Sequence, residues 1–129
     1  MSDYARKNLM DIENMAPRFG YEGGFEARFG GRELGASQTG ISMQRLPPDS
    51  EAPFGHRHEK AEEIYVVLEG SGRMKLGDDV IEVGRLDAIR VDPEVPRAFA
   101  AGADGLTVLA FGTHHENDGE LLHGFWQED

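Results

Sequence analysis

Two histidines and a glutamate in the middle of the chain have the types and the spacing of a metal site. His56 and His58 are two positions apart, so on an extended segment both side chains project from the same face. Glu63 follows five residues after His58 and begins a hydrophobic run that ends at Gly70. Two imidazoles and one carboxylate can bind a divalent ion and leave other positions open for water or substrate. The sequence therefore predicts a metal site at these three residues.

The composition of the chain restricts the class of protein to which these three residues can belong. A chain of 129 residues suffices for one domain, and its 17 glycines and 6 prolines predict many turns between short strands. The net charge of −11 repels nucleic acids and anionic membranes, so neither is expected as a partner. No apolar run approaches the ~18 residues of a membrane span and no export signal is recognisable, so a cytoplasmic protein is expected. The absence of cysteine excludes disulfides and thiolate ligands.

The alternation of apolar and polar residues predicts strands throughout the chain. The predicted strands are 25–29, 41–45, 63–69, 73–76, 80–83, 87–91, 97–100 and 106–111. Gly70–Gly72 is interpreted as a turn, and the residues from 113 onward are interpreted as an acidic tail. No helical period is sustained, and turn signals recur every 8–12 residues. This pattern favours an all-β fold, either an antiparallel sandwich or a jelly-roll barrel.

Residues 50–70 resemble the first motif of the cupin superfamily. That motif is a glycine, five residues, His-x-His, three or four residues, a glutamate, six residues and a glycine. His56, His58, Glu63 and Gly70 occupy these positions, with a serine at the leading glycine. The resemblance implies an antiparallel jelly-roll β-barrel with the metal ligands pointing into its mouth.

Residues 85–99 resemble the second cupin motif in shape and spacing, although most of its characteristic residues differ. Leu86 stands at its first glycine, and Arg97 stands where the family has its fourth metal ligand, a histidine. The resemblance covers roughly residues 35–112, which are interpreted as the barrel. Residues 1–34 are then an N-terminal extension with an edge strand, and 113–129 are the acidic tail.

Arg97 leaves three interpretations of the site open. Its charge would repel a dication, because an arginine keeps its charge when it is buried. It could instead pair bidentately with Glu63, through two hydrogen bonds, and leave a metal-free pocket for an anion. It could also swing aside and hold a substrate carboxylate beside an ion on three protein ligands. The third interpretation is a purely structural barrel whose site no longer binds a metal or a ligand.

Other side chains are weaker candidates for the site. Strand alternation directs Tyr65, Val67 and Phe99 inward with the histidines, and these residues, with Phe54 and Phe111, are expected to build the core or line the pocket. Met43 shares a face with Arg45, so Tyr65, Phe99 and Met43 are candidates for contact with a ligand. Glu62 should face away from the site by the same alternation. The further candidates are His114, His115 and Glu116, for which an exposed loop is the preferred interpretation.

The sequence thus predicts a small-molecule site that uses a divalent metal on His56, His58 and Glu63, with Arg97 orienting an anionic ligand. Iron, manganese, nickel and zinc all suit this ligand set. The alternative is a metal-free, non-catalytic anion-binding protein. A homodimer is expected, because members of this family often pair through edge strands and open sheet edges need covering. The substrate and the reaction are not encoded in any motif.

Overall fold

The computed structural model describes residues 3–127 and confirms the all-β prediction. Within that range the strands are β1 Glu26–Phe29, β2 Thr39–Leu46, β3 Phe54–His58, β4 Glu63–Leu76, β5 Asp79–Gly84, β6 Ala88–Val91, β7 Arg97–Thr113 and β8 Gly119–His123. The helices described are single 3-10 turns at Leu9–Asp11, Ala16–Phe19 and Phe125–Gln127. In the described part of the chain, no helix is long and apolar enough to cross a membrane.

Two long strands, β4 and β7, form the centre of the antiparallel sheet. They pair along most of their length, with Glu63 opposite Gly112 at one end and Leu76 opposite Arg97 at the other. β2 and β3 pair with the edge of β7 that faces away from β4, and β5 and β6 pair with β4. The register shifts near Gly70, where bulges bend the strands. The sheet thereby curls into a barrel with the core inside.

The predicted turn at Gly70–Gly72 is wrong, because β4 continues through it as a bulged strand. A Cβ atom on Gly72 would lie 2.0 Å from the carbonyl oxygen of Ala100 on β7. Glycine is therefore needed here for the close approach of two backbones, rather than for a chain reversal. The two segments 97–100 and 106–111 likewise belong to one strand, β7.

The sheet has one apolar inner face and one mixed outer face. Tyr65, Val67 and Phe99 are buried inside, as predicted. The expected core position of Phe111 is wrong, because it lies opposite Ile64 and both side chains are on the outer face, 38% and 44% exposed respectively. Strand alternation separates Phe111 from its buried neighbour Ala110.

Residues after 113 do more than form a tail. β8 pairs with β3 along its whole length, so that His56 lies opposite Leu121 and His58 opposite Gly119. The final helical turn docks on the barrel, where the Trp126 indole N–H donates to the carbonyl oxygen of Phe99 (3.0 Å) and Lys75 Nζ donates to that of Phe125 (2.7 Å). The C-terminal segment therefore covers the strand that carries the histidines.

Candidate metal centre

Two strands bring the three predicted ligands together. His56 and His58 project from the same side of β3, and Glu63 projects from the first position of β4. One nitrogen of each histidine and one carboxylate oxygen of Glu63 all lie within 4.8 Å of one another. The three side chains are between 14% and 19% exposed. Two positions on one strand and one on another thus converge on a single point.

Glu63 Oε1 is the centre of this cluster. Nε2 of His56 lies 3.1 Å from it and Nε2 of His58 lies 3.2 Å from it. The Tyr65 hydroxyl donates to the same oxygen at 2.6 Å and lies 3.0 Å from His56 Nε2. Two ligand atoms bound at right angles to one ion at ~2.1 Å would be ~3.0 Å apart, so the observed spacing suits a shared ion.

A residue that the sequence did not indicate, Asp118, contacts His58 from the other side. Asp118 Oδ2 lies 3.1 Å from His58 Nδ1. A carboxylate only accepts hydrogen bonds, so Nδ1 carries a proton and, in the neutral ring, Nε2 carries a lone pair. Within residues 3–127, this buried Nε2 atom has no hydrogen-bond partner. The lone pair faces Glu63 Oε1, and a cation or a second proton on the ring would relieve their repulsion.

The surroundings shift the ionisation of each group in a definite direction. Burial lowers the pKa of His56 despite the nearby Glu63. The close contact of Nε2 with the Glu63 carboxylate raises the pKa of His58, against the effect of burial. Burial alone would raise the pKa of Glu63, but the contacts with both histidines and the hydrogen bond from Tyr65 outweigh it and hold that pKa far below its usual range. Burial raises the pKa of Tyr65 well above normal, so this side chain stays a neutral donor.

Arg97 is fully buried beside the cluster. Nη1 donates to Glu63 Oε1 at 3.1 Å, and Nη2 donates to the carbonyl oxygens of Asp92 at 2.7 Å and Pro93 at 3.3 Å. The contact with Glu63 thus uses one guanidinium nitrogen and is not the two-bond pairing considered from the sequence. The positive charge of Arg97 stabilises the ionised form of Glu63, and the hydrogen bonds from Nη2 hold the loop before β7.

A cavity of about 500 Å³ opens above the three predicted ligands, all of which line it. Its remaining walls are largely apolar. They include Phe19, Phe29, Ile41, Phe54, Ala110 and Leu121. His114 and His115 are exposed, as preferred from the sequence, and also line the mouth together with Arg32. Glu62 points away from the site toward Arg90, as predicted.

The residues proposed to contact a ligand lie elsewhere. Tyr65 and Phe99 pack on each other inside the barrel with ring centroids 5.3 Å apart. Met43 lies opposite Leu109 and does not line the cavity, whereas its neighbours Ser42 and Gln44 do. None of the four candidates, Arg97 included, is among the described residues that line the cavity. Their ligand contacts stay predictions.

Comparison with known families agrees with this geometry. Residues 42–111, more than half of the chain, match a family model described as a cupin domain. The chain belongs to the cupin family. An uncharacterized protein of Methanocaldococcus jannaschii is 44% identical to this cupin over 70 residues. The match covers 52% of this chain and 56% of the relative, so the chain spans just over half of that protein's length.

Solved structures show the same fold at low sequence identity. A cupin protein from Bacteroides fragilis has a TM-score of 0.70 at 22% identity, covering 91% of this chain and 89% of its own. The polyketide cyclase RemF from Streptomyces resistomycificus has a TM-score of 0.71 at 23% identity, covering 97% and 87%. A variant of Bacillus subtilis oxalate decarboxylase has a TM-score of 0.76 at 23% identity, covering 95% of this cupin and 33% of the enzyme. These likenesses establish the jelly-roll barrel.

Proposed function

We propose that this cupin binds a divalent metal ion through His56, His58 and Glu63 and uses it to hold a small organic molecule in the cavity. The observation that carries the proposal is the buried Nε2 atom of His58, which has no hydrogen-bond partner within residues 3–127 and lies 3.2 Å from Glu63 Oε1. A neutral imidazole and a carboxylate in this geometry make a donor set for iron, manganese, nickel or zinc.

The chain's own residues would prepare the site for this ion. Tyr65 and Arg97 both donate to Glu63 Oε1 and thereby fix its orientation, while the charge of Arg97 opposes a nearby cation. The largely apolar walls of the cavity would limit the water that reaches the histidines. A bound ion would supply Lewis acidity to an oxygen atom of the ligand that reaches the open coordination positions.

The cavity walls indicate the class of ligand. An apolar body of about one aromatic ring, with oxygen donors at one end, fits walls lined by Phe29, Phe54 and Ile41 above the metal ligands. Arg32 at the mouth favours a ligand with negative charge. Because Arg97 is enclosed and bonded to Glu63 and two carbonyl groups, we propose that it orients Glu63 and that the mouth contacts the anionic group.

A second function is favoured by the same arginine. The contact between Arg97 and Glu63 balances the buried carboxylate without any ion. The protein would then be a metal-free binding protein, with the histidines acting as hydrogen-bonding groups toward an anion.

Metal content separates the two functions. Tag-free protein is analysed for transition metals beside two double variants, His56→Ala with His58→Ala, and His114→Ala with His115→Ala as the matched histidine control. We expect close to one ion per chain in the parent and the control and none in the first variant. A parent that stays metal-free after incubation with each of the four ions would refute the metal site.

Two probes with the same metal-binding head test the ligand class. Benzohydroxamate and acetohydroxamate differ in their apolar body, and burying ~100 Å² of ring surface is worth ~2.5 kcal/mol. We expect benzohydroxamate to bind the metal-loaded protein at least ~10-fold more tightly, measured by calorimetry. Equal affinities would contradict an apolar ligand. Loss of both affinities on metal removal would show that the ion holds the head group.

A further inference from the structure

Asp118 lies just before β8, outside residues 42–111 that match the family model. Among the described residues, it and Arg97 are the charged side chains that are buried, Asp118 with 8% exposure. A buried carboxylate requires several donors to offset its lost hydration. The identity of those donors indicates its role.

The two oxygens of Asp118 bind the segment that joins the predicted ligands. Oδ1 accepts hydrogen bonds from the backbone N–H groups of Glu59 (3.1 Å) and Lys60 (2.7 Å). Oδ2 accepts one from the N–H of Ala61 (3.0 Å) and faces His58 Nδ1 at 3.1 Å. One side chain therefore holds the loop between β3 and β4 and, at the same time, the imidazole that ends β3.

We infer that Asp118 is a positioning residue that holds His58 in the tautomer with its Nε2 lone pair directed into the site. The inference rests on the proposed metal function, since that lone pair is the one an ion would use. A carboxylate cannot donate, and Nδ1 is hydrogen-bonded to Asp118 whereas Nε2 makes no hydrogen bond within residues 3–127, so the proton of a neutral His58 stays on Nδ1. Carboxylates that orient ligand histidines in this way typically contribute ~10- to 100-fold to metal affinity.

The variant Asp118→Asn isolates this effect from the loop contacts. The amide is almost isosteric, and its oxygen can still accept from Glu59 and Lys60. Its NH₂ group then faces His58 Nδ1 and donates to it, which moves the ring proton to Nε2. That proton points at Glu63 Oε1 and occupies the position of the ion. The N–H of Ala61 loses its acceptor, so a modest loss of stability accompanies the change.

Asp87→Asn is the matched control. Asp87 Oδ2 accepts a hydrogen bond from the backbone N–H of Gly84 (2.8 Å) in an exposed turn. The control therefore makes the same chemical change at another turn-capping aspartate that does not contact a histidine.

The test has two readouts. Nitrogen NMR of the histidine rings in metal-free protein, at a pH where His58 is neutral, reports the tautomer directly. We expect an Nδ1–H ring in the parent and in Asp87→Asn, and an Nε2–H ring in Asp118→Asn. Zinc or manganese titration by calorimetry should show ~10- to 100-fold weaker binding in Asp118→Asn alone.

An unchanged tautomer in Asp118→Asn would overturn the inference, as would equal loss of metal affinity in the two variants. The NMR readout needs no ion. If the parent binds no metal but its tautomer changes as expected, the proposed function fails while the role of Asp118 in orienting His58 stands.

Discussion

Replacing Arg97 by methionine should strengthen metal binding while weakening the metal-free fold. Nη1 lies 3.1 Å from Glu63 Oε1, and a metal ion lies ~2.1 Å from a carboxylate oxygen, so the guanidinium and the ion would be within ~5 Å. One and two positive charges at that distance, with an effective dielectric constant of ~20, repel each other by ~7 kcal/mol. Movement of the guanidinium and water in the cavity reduce this figure. We expect at least a ~100-fold gain in affinity, equivalent to ~2.7 kcal/mol.

The stability of the metal-free protein should change in the opposite direction. Without Arg97, the carboxylate of Glu63 loses a charged partner, and the carbonyl groups of Asp92 and Pro93 each lose one of their donors. Removing one partner of a buried ion pair lowers the free energy of unfolding by ~3–5 kcal/mol. A divalent ion can replace the missing charge, so added metal should raise the melting temperature of Arg97→Met more than that of the parent.

The assay combines calorimetric metal titration with thermal unfolding, with and without metal. Arg57→Met is the control, since Arg57 lies between the two histidines on β3 but pairs with Glu120 at the surface. Arg97→His provides a further comparison, because it places an imidazole at the position of the family's fourth ligand. Equal metal affinity in the parent and Arg97→Met would refute the reasoning that this arginine opposes the ion.

Three further predictions concern the barrel. Leu86 has a φ of +69° and is 61% exposed, so Leu86→Gly should relieve left-handed strain and stabilise the fold by ~1 kcal/mol, raising the melting temperature by a few degrees. Gly72→Ala should destabilise it by ~3 kcal/mol or more in denaturant unfolding, because the backbone of β7 must move. Gly84→Ala, which meets no atom within 4 Å, should change little. The homodimer expected from the sequence is proposed to bury Ile64 and Phe111, so changing both to threonine should halve the mass measured by light scattering. A monomeric parent would contradict the dimer, and a dimeric double variant would contradict this face.

The parts of the structure that could be predicted are those that depend on local pattern. Alternation predicted the strands and the inward direction of Tyr65 and Phe99, and spacing predicted the cluster of His56, His58 and Glu63. The structural role of each glycine could not be predicted, because the sequence does not distinguish a glycine needed for the close approach of two strands from a glycine in a turn. Asp118 was missed for a related reason: its partner in space is 60 residues away, and no local period connects them.

The position of the Arg97–Glu63 pair has a consequence for the order of folding. The two residues lie at opposite ends of the β4–β7 ladder, and a straight strand of 14 residues would be ~46 Å long. Their side chains can meet only after the ladder has curled on itself, and a charge pair gains little until water has left it. The pair should therefore form after the transition state of folding. Substitutions at Arg97 should then leave the folding rate nearly unchanged and accelerate unfolding. The contacts at the site would therefore determine the lifetime of the folded barrel.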